Sequence, residues 1–141
     1  MKTIQRADID DARTILAAAR QAATEMNVPV CIAICDEAGD LIAFERMEGA
    51  KASSAEIAID KAFTAASTRK GTHELANAAQ PGQPAYGVWT AANGRFMIIA
   101  GGIPIFHADT VIGAIGVSSG TPDQDREIAQ TAAREWAAQN P

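Results

Sequence analysis

Residues 28–47 read VPVCIAICDEAGDLIAFERM. The run from Val28 to Cys35 is almost wholly apolar, as expected of a central strand covered on both faces. EAGD then supplies a turn. LIAFERM alternates, with Leu41, Ala43 and Glu45 on one side and Ile42, Phe44 and Arg46 on the other. Two strands joined by a short turn make a hairpin. A fold that begins its sheet this way is not built from βαβ units.

Working outward, the preceding stretch carries Ile9, Ala12, Ile15, Leu16, Ala19, Ala23 and Met26 at helical spacing. Asp8 stands at the N-cap and Asn27 and Pro29 at the end. After the hairpin, SSAEIAIDKAFTAASTRKG (53–71) is the best-marked helix. Ser53 and Glu56 form a capping-box pattern, and Gly71 follows Arg69 and Lys70 as a C′ glycine. Its core face is predicted as Ala55, Ile59, Ala62, Phe63 and Ala66. A second stripe holds Ile57, Lys61, Thr64 and Thr68. Residues 71–95 lose all periodicity, apart from a short helix predicted at THELANA. Irregular stretches of that length serve as lids or binding walls. Tyr86 and Trp89 fall in it.

Three strands are predicted next, at Phe96–Ala100, Ile103–His107 and Val111–Ser118. A last helix opens at Thr121, Pro122 and Gln124 and buries Ile128, Ala132 and Trp136. The order predicts an α+β fold with a mainly antiparallel five-stranded sheet flanked by helices, in a single domain of residues 1–141.

Composition narrows the function. The chain has 12 basic and 17 acidic residues, a net charge of −5. No basic stripe exists, so nucleic acid is not an expected partner. No apolar run is long enough to span a membrane or to form a signal peptide, so the expected location is the cytoplasm. Cys31 and Cys35 sit ~13 Å apart on one face of a strand, too far for a disulfide, and read as core residues. No zinc-binding pattern occurs, and C-x-x-C-H is absent, which excludes covalent haem.

The glycines of AGGIPIFHADTVIGAIGVSSG (100–120) are not a nucleotide loop. No G-x-G-x-x-G opens a helix, and no Lys-Ser or Lys-Thr ends a glycine-rich turn. Gly113 and Gly116 lie inside a strand, where a missing side chain permits close packing. Gly101 and Gly102 precede Ile103-Pro104 at a strand start, where a ligand could reach unpaired N–H groups.

DEAGDLIAFERMEGA, SSAEIAIDKAFTAA, AGGIPIF and VIGAIGVSSGTPDQDREIA together resemble the GlcG/HbpS family, which includes the C-terminal part of PduO-type proteins. The likeness spans nearly the whole chain. It implies a profilin-like domain, assembly into homo-oligomers, and in some relatives haem binding. The family's Asp-x-x-Gly hairpin matches Asp36 to Gly39. Its Arg-x-Asp-Gly-Ala matches Arg46 to Ala50, with Glu48 for the aspartate. Its Lys-Ala-x-Thr-Ala matches Lys61 to Ala65, and its later threonine matches Thr72. Its Gly-Gly-Gly-Ile-Pro-Ile matches Ala100 to Ile105, with Ala100 for the first glycine. Its final glycine-rich strand matches Gly113 to Gly120, with Ser119 for a glycine. Ala108-Asp109-Thr110 replaces a glycine-bearing turn.

These residues define an expected pocket between the Lys61 helix, the Gly101–Pro104 edge and the 71–95 wall. Its lining would be Arg46, Lys61, Thr64, Thr68, Thr72, His73, Tyr86, Trp89, Gly101, Gly102, Ile103 and Pro104. Two readings stand for Lys61: a snorkelling side chain on a solvated face, or a partly buried amine under a second layer. Arg46 is either a carboxylate fork or an ordinary surface arginine. With haem or another flat anionic molecule as ligand, Arg46 and Lys61 would supply the cations, and His73 or Thr72 the iron ligand. The alternative is a small catabolic enzyme acting on a carboxylate-bearing enol, imine or semialdehyde from aromatic ring cleavage. There Lys61 and Arg46 would be catalytic and N–H groups near Gly102 would stabilise an oxyanion. A homo-oligomer is expected, because GGIPIF offers an apolar, uncharged sheet edge.

Overall fold

The computed structural model describes residues 1–141. Its elements are α1 (Ile9–Glu25), β1 (Cys31–Asp36), β2 (Leu41–Arg46), α2 (Ser54–Thr68), α3 (Thr72–Ala78), a 3-10 turn at Val88–Thr90, a single turn α4 (Ala91–Gly94), β3 (Gly102–His107), β4 (Thr110–Ser118) and α5 (Pro122–Gln139). The strands form one antiparallel sheet in the order β2-β1-β4-β3. No helix is long and apolar enough to cross a membrane.

The sheet has four strands, not the predicted five. Residues 96–100 join no strand ladder, and Ile99 and Ala100 form a bend. Their backbone groups bond threonine side chains instead. Thr64 Oγ1 accepts from Met97 N at 2.8 Å, and Thr72 Oγ1 donates to Ile99 O at 2.6 Å. Apolar composition there mimicked a strand, while tertiary partners satisfied the backbone another way.

All six residues of β1 are buried, because the strand is covered on both faces. Ile32 and Ile34 join Ile15, Ile105, Ile115, Ile128 and Trp136 in the larger core under α1 and α5. Cys31, Ala33 and Cys35 face the other way, against Ala58, Ala62, Ala65 and Ala66 of α2. Both cysteines are free, and burial pushes the Cys35 thiol up to about 12.

The second layer is made of small side chains. Ala33, Gly116 and Gly102 lie abreast on β1, β4 and β3. A Cβ at Gly116 would overlap the Ala58 carbonyl oxygen, and one at Gly102 the Lys61 carbonyl oxygen. The α2 backbone therefore rests directly on the sheet. Its sheet-facing stripe is Ala58, Lys61, Ala62 and Ala65, rotated from the predicted face, and Ile59 and Phe63 move to its flank. Phe63 contacts the β1–β2 turn at Gly39.

Helix ends follow the sequence in part. Asp8 caps α1 and Thr121 caps α5, each in a capping box. Ser53 makes no cap hydrogen bond, and α2 closes on Arg69 in the left-handed region (φ 58°) rather than on Gly71. Both sheet edges are guarded. β2 has a register break opposite Ile34/Cys35, and β3 carries Pro104 and a break at Ile105/Phe106. Bulges and proline obstruct edge-to-edge pairing, so the expectation that GGIPIF offers an unprotected edge is corrected.

Gly116→Ala should destabilise the protein by about 3 kcal/mol or more, since neither the strand nor the helix backbone can yield cheaply. Urea denaturation followed by circular dichroism measures it.

Candidate functional site

The β3 edge, the α2–α3 junction and α5 border an open cleft of about 590 Å³, a volume in the small-molecule range. The junction is dictated locally. Glu74 accepts a hydrogen bond from Gly71 N at 2.8 Å, which fixes the first turn of α3. His73 follows one residue into that turn, and its ring lies over Gly71, where any Cβ would overlap it. A side chain at Gly71 would push the imidazole aside.

His73 Nδ1 is buried without a hydrogen-bond partner. Burial holds the His73 pKa below its usual value, with Arg126 acting in the same direction and Glu74 opposing it. The imidazole is therefore neutral at neutral pH, the form that ligates metals. Arg69 and Lys70 stand beside it, and Arg134 lies across on α5. The cleft thus gathers three cations against one carboxylate, Glu74, on a chain of net charge −5. Ile103, Pro104 and Phe106 come from β3, and Ala133 and Ala137 from α5. Such a surface suits a flat apolar body with anionic substituents.

Of the residues expected at the site, His73, Ile103 and Pro104 line this cleft. The others lie elsewhere. Lys61 is 1% exposed, and its Nζ donates to Val117 O at 2.8 Å and Asp125 Oδ2 at 3.1 Å. Burial lowers the Lys61 pKa and raises that of Asp125, while their mutual attraction opposes both shifts. Asp125 Oδ1 also accepts from Gly120 N. Lys61 is therefore neither a surface side chain nor a free amine; it joins α2 to the end of β4 and the start of α5.

Gly101 and Gly102 do not open the edge to a ligand. A Cβ on Gly101 would press on Val117 O and Lys61 Nζ, and Gly102 N donates to Thr72 Oγ1 at 2.9 Å. Thr64, Thr68 and Thr72 spend their hydroxyls on backbone groups. Arg46 ends β2 in a cross-strand row with Cys31 and Ser118, the sheet's full width from the cleft. Tyr86 and Trp89 stack on each other at 5.0 Å in the 80–94 segment and do not line the cleft.

The sequence reading missed Arg69, Lys70, Phe106 and Arg134 as site residues. Arg69-Lys70 was visible as a basic pair, but helix ends commonly carry one. Gln130, Ala133, Arg134 and Ala137 share a face of α5 by their 3-4 spacing; nothing local marks that face as a wall.

The fold and cleft define a small α+β protein with one basic, apolar-floored pocket at its sheet edge. A family model described as "Haem degrading protein HbpS-like" matches residues 8–134, and the chain belongs to this HbpS-like family. It is 41% identical over 121 residues to an uncharacterized 15.0 kDa protein of the dhaT-dhaS intergenic region of Citrobacter freundii, covering 86% of this chain and 85% of that one. The crystal structure of Klebsiella pneumoniae protein ORFY superposes with a TM-score of 0.94 at 38% identity, covering 98% of this chain and 95% of that one. A crystallised PduOC–haem complex gives 0.87 at 34% identity, covering 92% and 94%.

Two stability outcomes follow. Lys61→Met leaves the Asp125 carboxylate buried without its counterion and should cost about 3–5 kcal/mol; adding Asp125→Leu should recover part of that loss in urea melts. Thr72→Val strands Ile99 O and Gly102 N and should cost about 2–4 kcal/mol. Hydrogen exchange at the Gly102 amide should accelerate with it.

Proposed function

We propose that this protein binds haem, or a similarly flat anionic small molecule, in the β3–α5 cleft. The observation that carries the reading is His73. Its ring makes no hydrogen bond, its Nδ1 is buried and unpaired, and it lines an apolar cleft beside Arg69, Lys70 and Arg134. An imidazole without partners, kept neutral by burial, is a ready axial ligand. The guanidinium and ammonium groups suit the two propionates, and Ile103, Pro104, Phe106 and the α5 alanines suit the macrocycle. Bound haem would supply a redox-active iron; the protein's share is to hold it and to limit its contact with water. The family description and the haem complex of the PduOC relative support this choice of ligand.

Thr72 is not the favoured iron ligand, because its Oγ1 already donates to Ile99 O and accepts from Gly102 N. The ring-cleavage enzyme reading finds no assembled chemistry. Its amine is ion-paired, its oxyanion donor is bonded to Thr72, and Arg46 lies on the opposite sheet edge.

Haemin titration followed by the Soret band tests the proposal. His73→Ala should weaken binding at least tenfold and alter the Soret maximum. Lys70→Glu with Arg134→Glu should also weaken it, more so at low ionic strength. An affinity no better than that of an unrelated acidic protein would overturn the reading. The pH dependence has a defined sign. Because the His73 pKa is lowered from 6.5, the neutral ring persists on acidification through that value. Affinity should therefore hold from about pH 8 to 6.5 and fall only at lower pH.

A further inference from the structure

The cleft has a wall on each face of the sheet. α2 lies on one face and α1 and α5 on the other, while α3 and α5 both pack on the edge strand β3. Ile103, Pro104 and Phe106 of that strand form the floor between them. His73 stands on the α3 side. The α5 side is the stripe Gln130, Ala133, Arg134 and Ala137. Arg126 lies one turn before Gln130 and acts on the His73 ring to lower its pKa, so this stretch of α5 lies near the imidazole.

Gln130 is the odd residue of that stripe. Apart from His73, it is the one lining side chain that is polar and uncharged. Gln21, Gln80 and Gln124 spend their amides on groups three or four residues away; the half-buried Gln130 amide bonds nothing in the protein. Its neighbours at i−4 and i+4 are Arg126 and Arg134. Guanidinium groups only donate hydrogen bonds. They attract the amide oxygen along the helix and leave the NH2 group for the cleft.

We propose that Gln130 governs the face of the bound haem opposite His73, where its NH2 donates a hydrogen bond to a diatomic molecule held on the iron. The inference rests on haem as the ligand of the cleft. With His73 ligating from the α3 side, the other face of the macrocycle is turned to α5. Ala133 and Ala137 carry no donor there, and Arg134 is exposed at the rim, in place for a propionate. That leaves one neutral donor over the iron. Donors and polarity on that face decide whether a small molecule is held or released. An amide supplies the donor without burying a further charge.

Carbon monoxide is the probe. The full chain is loaded with haemin, reduced with dithionite and saturated with carbon monoxide, and the C–O stretch is read by infrared spectroscopy. Gln130→Leu keeps the bulk and removes the donor. It should raise the C–O frequency and speed carbon monoxide release by about tenfold, with the Soret complex retained. Gln130→Glu is the isosteric second variant and replaces the NH2 donor with an acceptor, so the frequency should rise there too; it serves alone if the leucine variant misfolds. Unchanged frequency and release in the folded variants would overturn the role of Gln130 and leave haem binding through His73 standing. A folded Gln130→Leu protein that no longer takes up haemin would also overturn it, because Gln130 would then hold the ring itself. A wild type that forms no Soret complex would overturn the haem reading, and this inference with it.

Discussion

The contact between the α2 backbone and the sheet governs the rest of the molecule. It is possible only because Gly116 and Gly102 present no side chain under Ala58 and Lys61, and because Cys31, Ala33, Cys35 and Ala114 keep the neighbouring surface low. Close-packed backbones cannot be shifted without loss of dispersion contacts on both sides. The position of α2 fixes those of Lys61, Thr64 and the chain emerging toward Thr72. Those residues in turn hold the 96–100 strip and the start of β3. The α2–α3 wall of the cleft is therefore set by the seam of small residues beneath α2.

Burying Lys61 is a consequence of that seam. A lysine on the sheet-facing stripe of a closely seated helix has nowhere to go but along the sheet, and its ammonium emerges at Val117 O and Asp125. Desolvation of both charges is offset by their mutual attraction and by further hydrogen bonds, the arrangement that makes a buried pair tolerable. Asp125 also takes Gly120 N, so one carboxylate fixes the entry of α5. The α5 wall of the cleft is positioned from beneath in this way, and Arg134 is carried to its place opposite His73.

The charge distribution is uneven at every scale. Acidic residues dominate overall, yet the cleft collects Arg69, Lys70 and Arg134, and the 75–94 stretch carries no charge at all. Paired surface charges such as Arg6–Glu37 and Arg20–Glu45 add little stability in water. The segregated regions are the informative ones, because a local excess or absence of charge selects what can approach.

The sequence by itself determined the elements and their layering. The apolar run of β1, the alternation of β2, the capping boxes at Asp8 and Thr121 and the helical spacing of α1, α2 and α5 are local signals, each set by neighbours within a few residues. It also marked His73, Ile103 and Pro104 for the site. Tertiary structure decided which face of α2 meets the sheet, and so the fate of Lys61, because Gly116 and Gly102 seat the helix backbone along its alanine stripe rather than along Ile59 and Phe63. It decided that residues 96–100 bond threonine hydroxyls rather than a fifth strand position. It also joined Arg69, His73, Phe106 and Arg134 around one cleft. Those residues come from three separate parts of the chain, the α2–α3 junction, β3 and α5, and only the packing of α5 across the β3 edge brings them together.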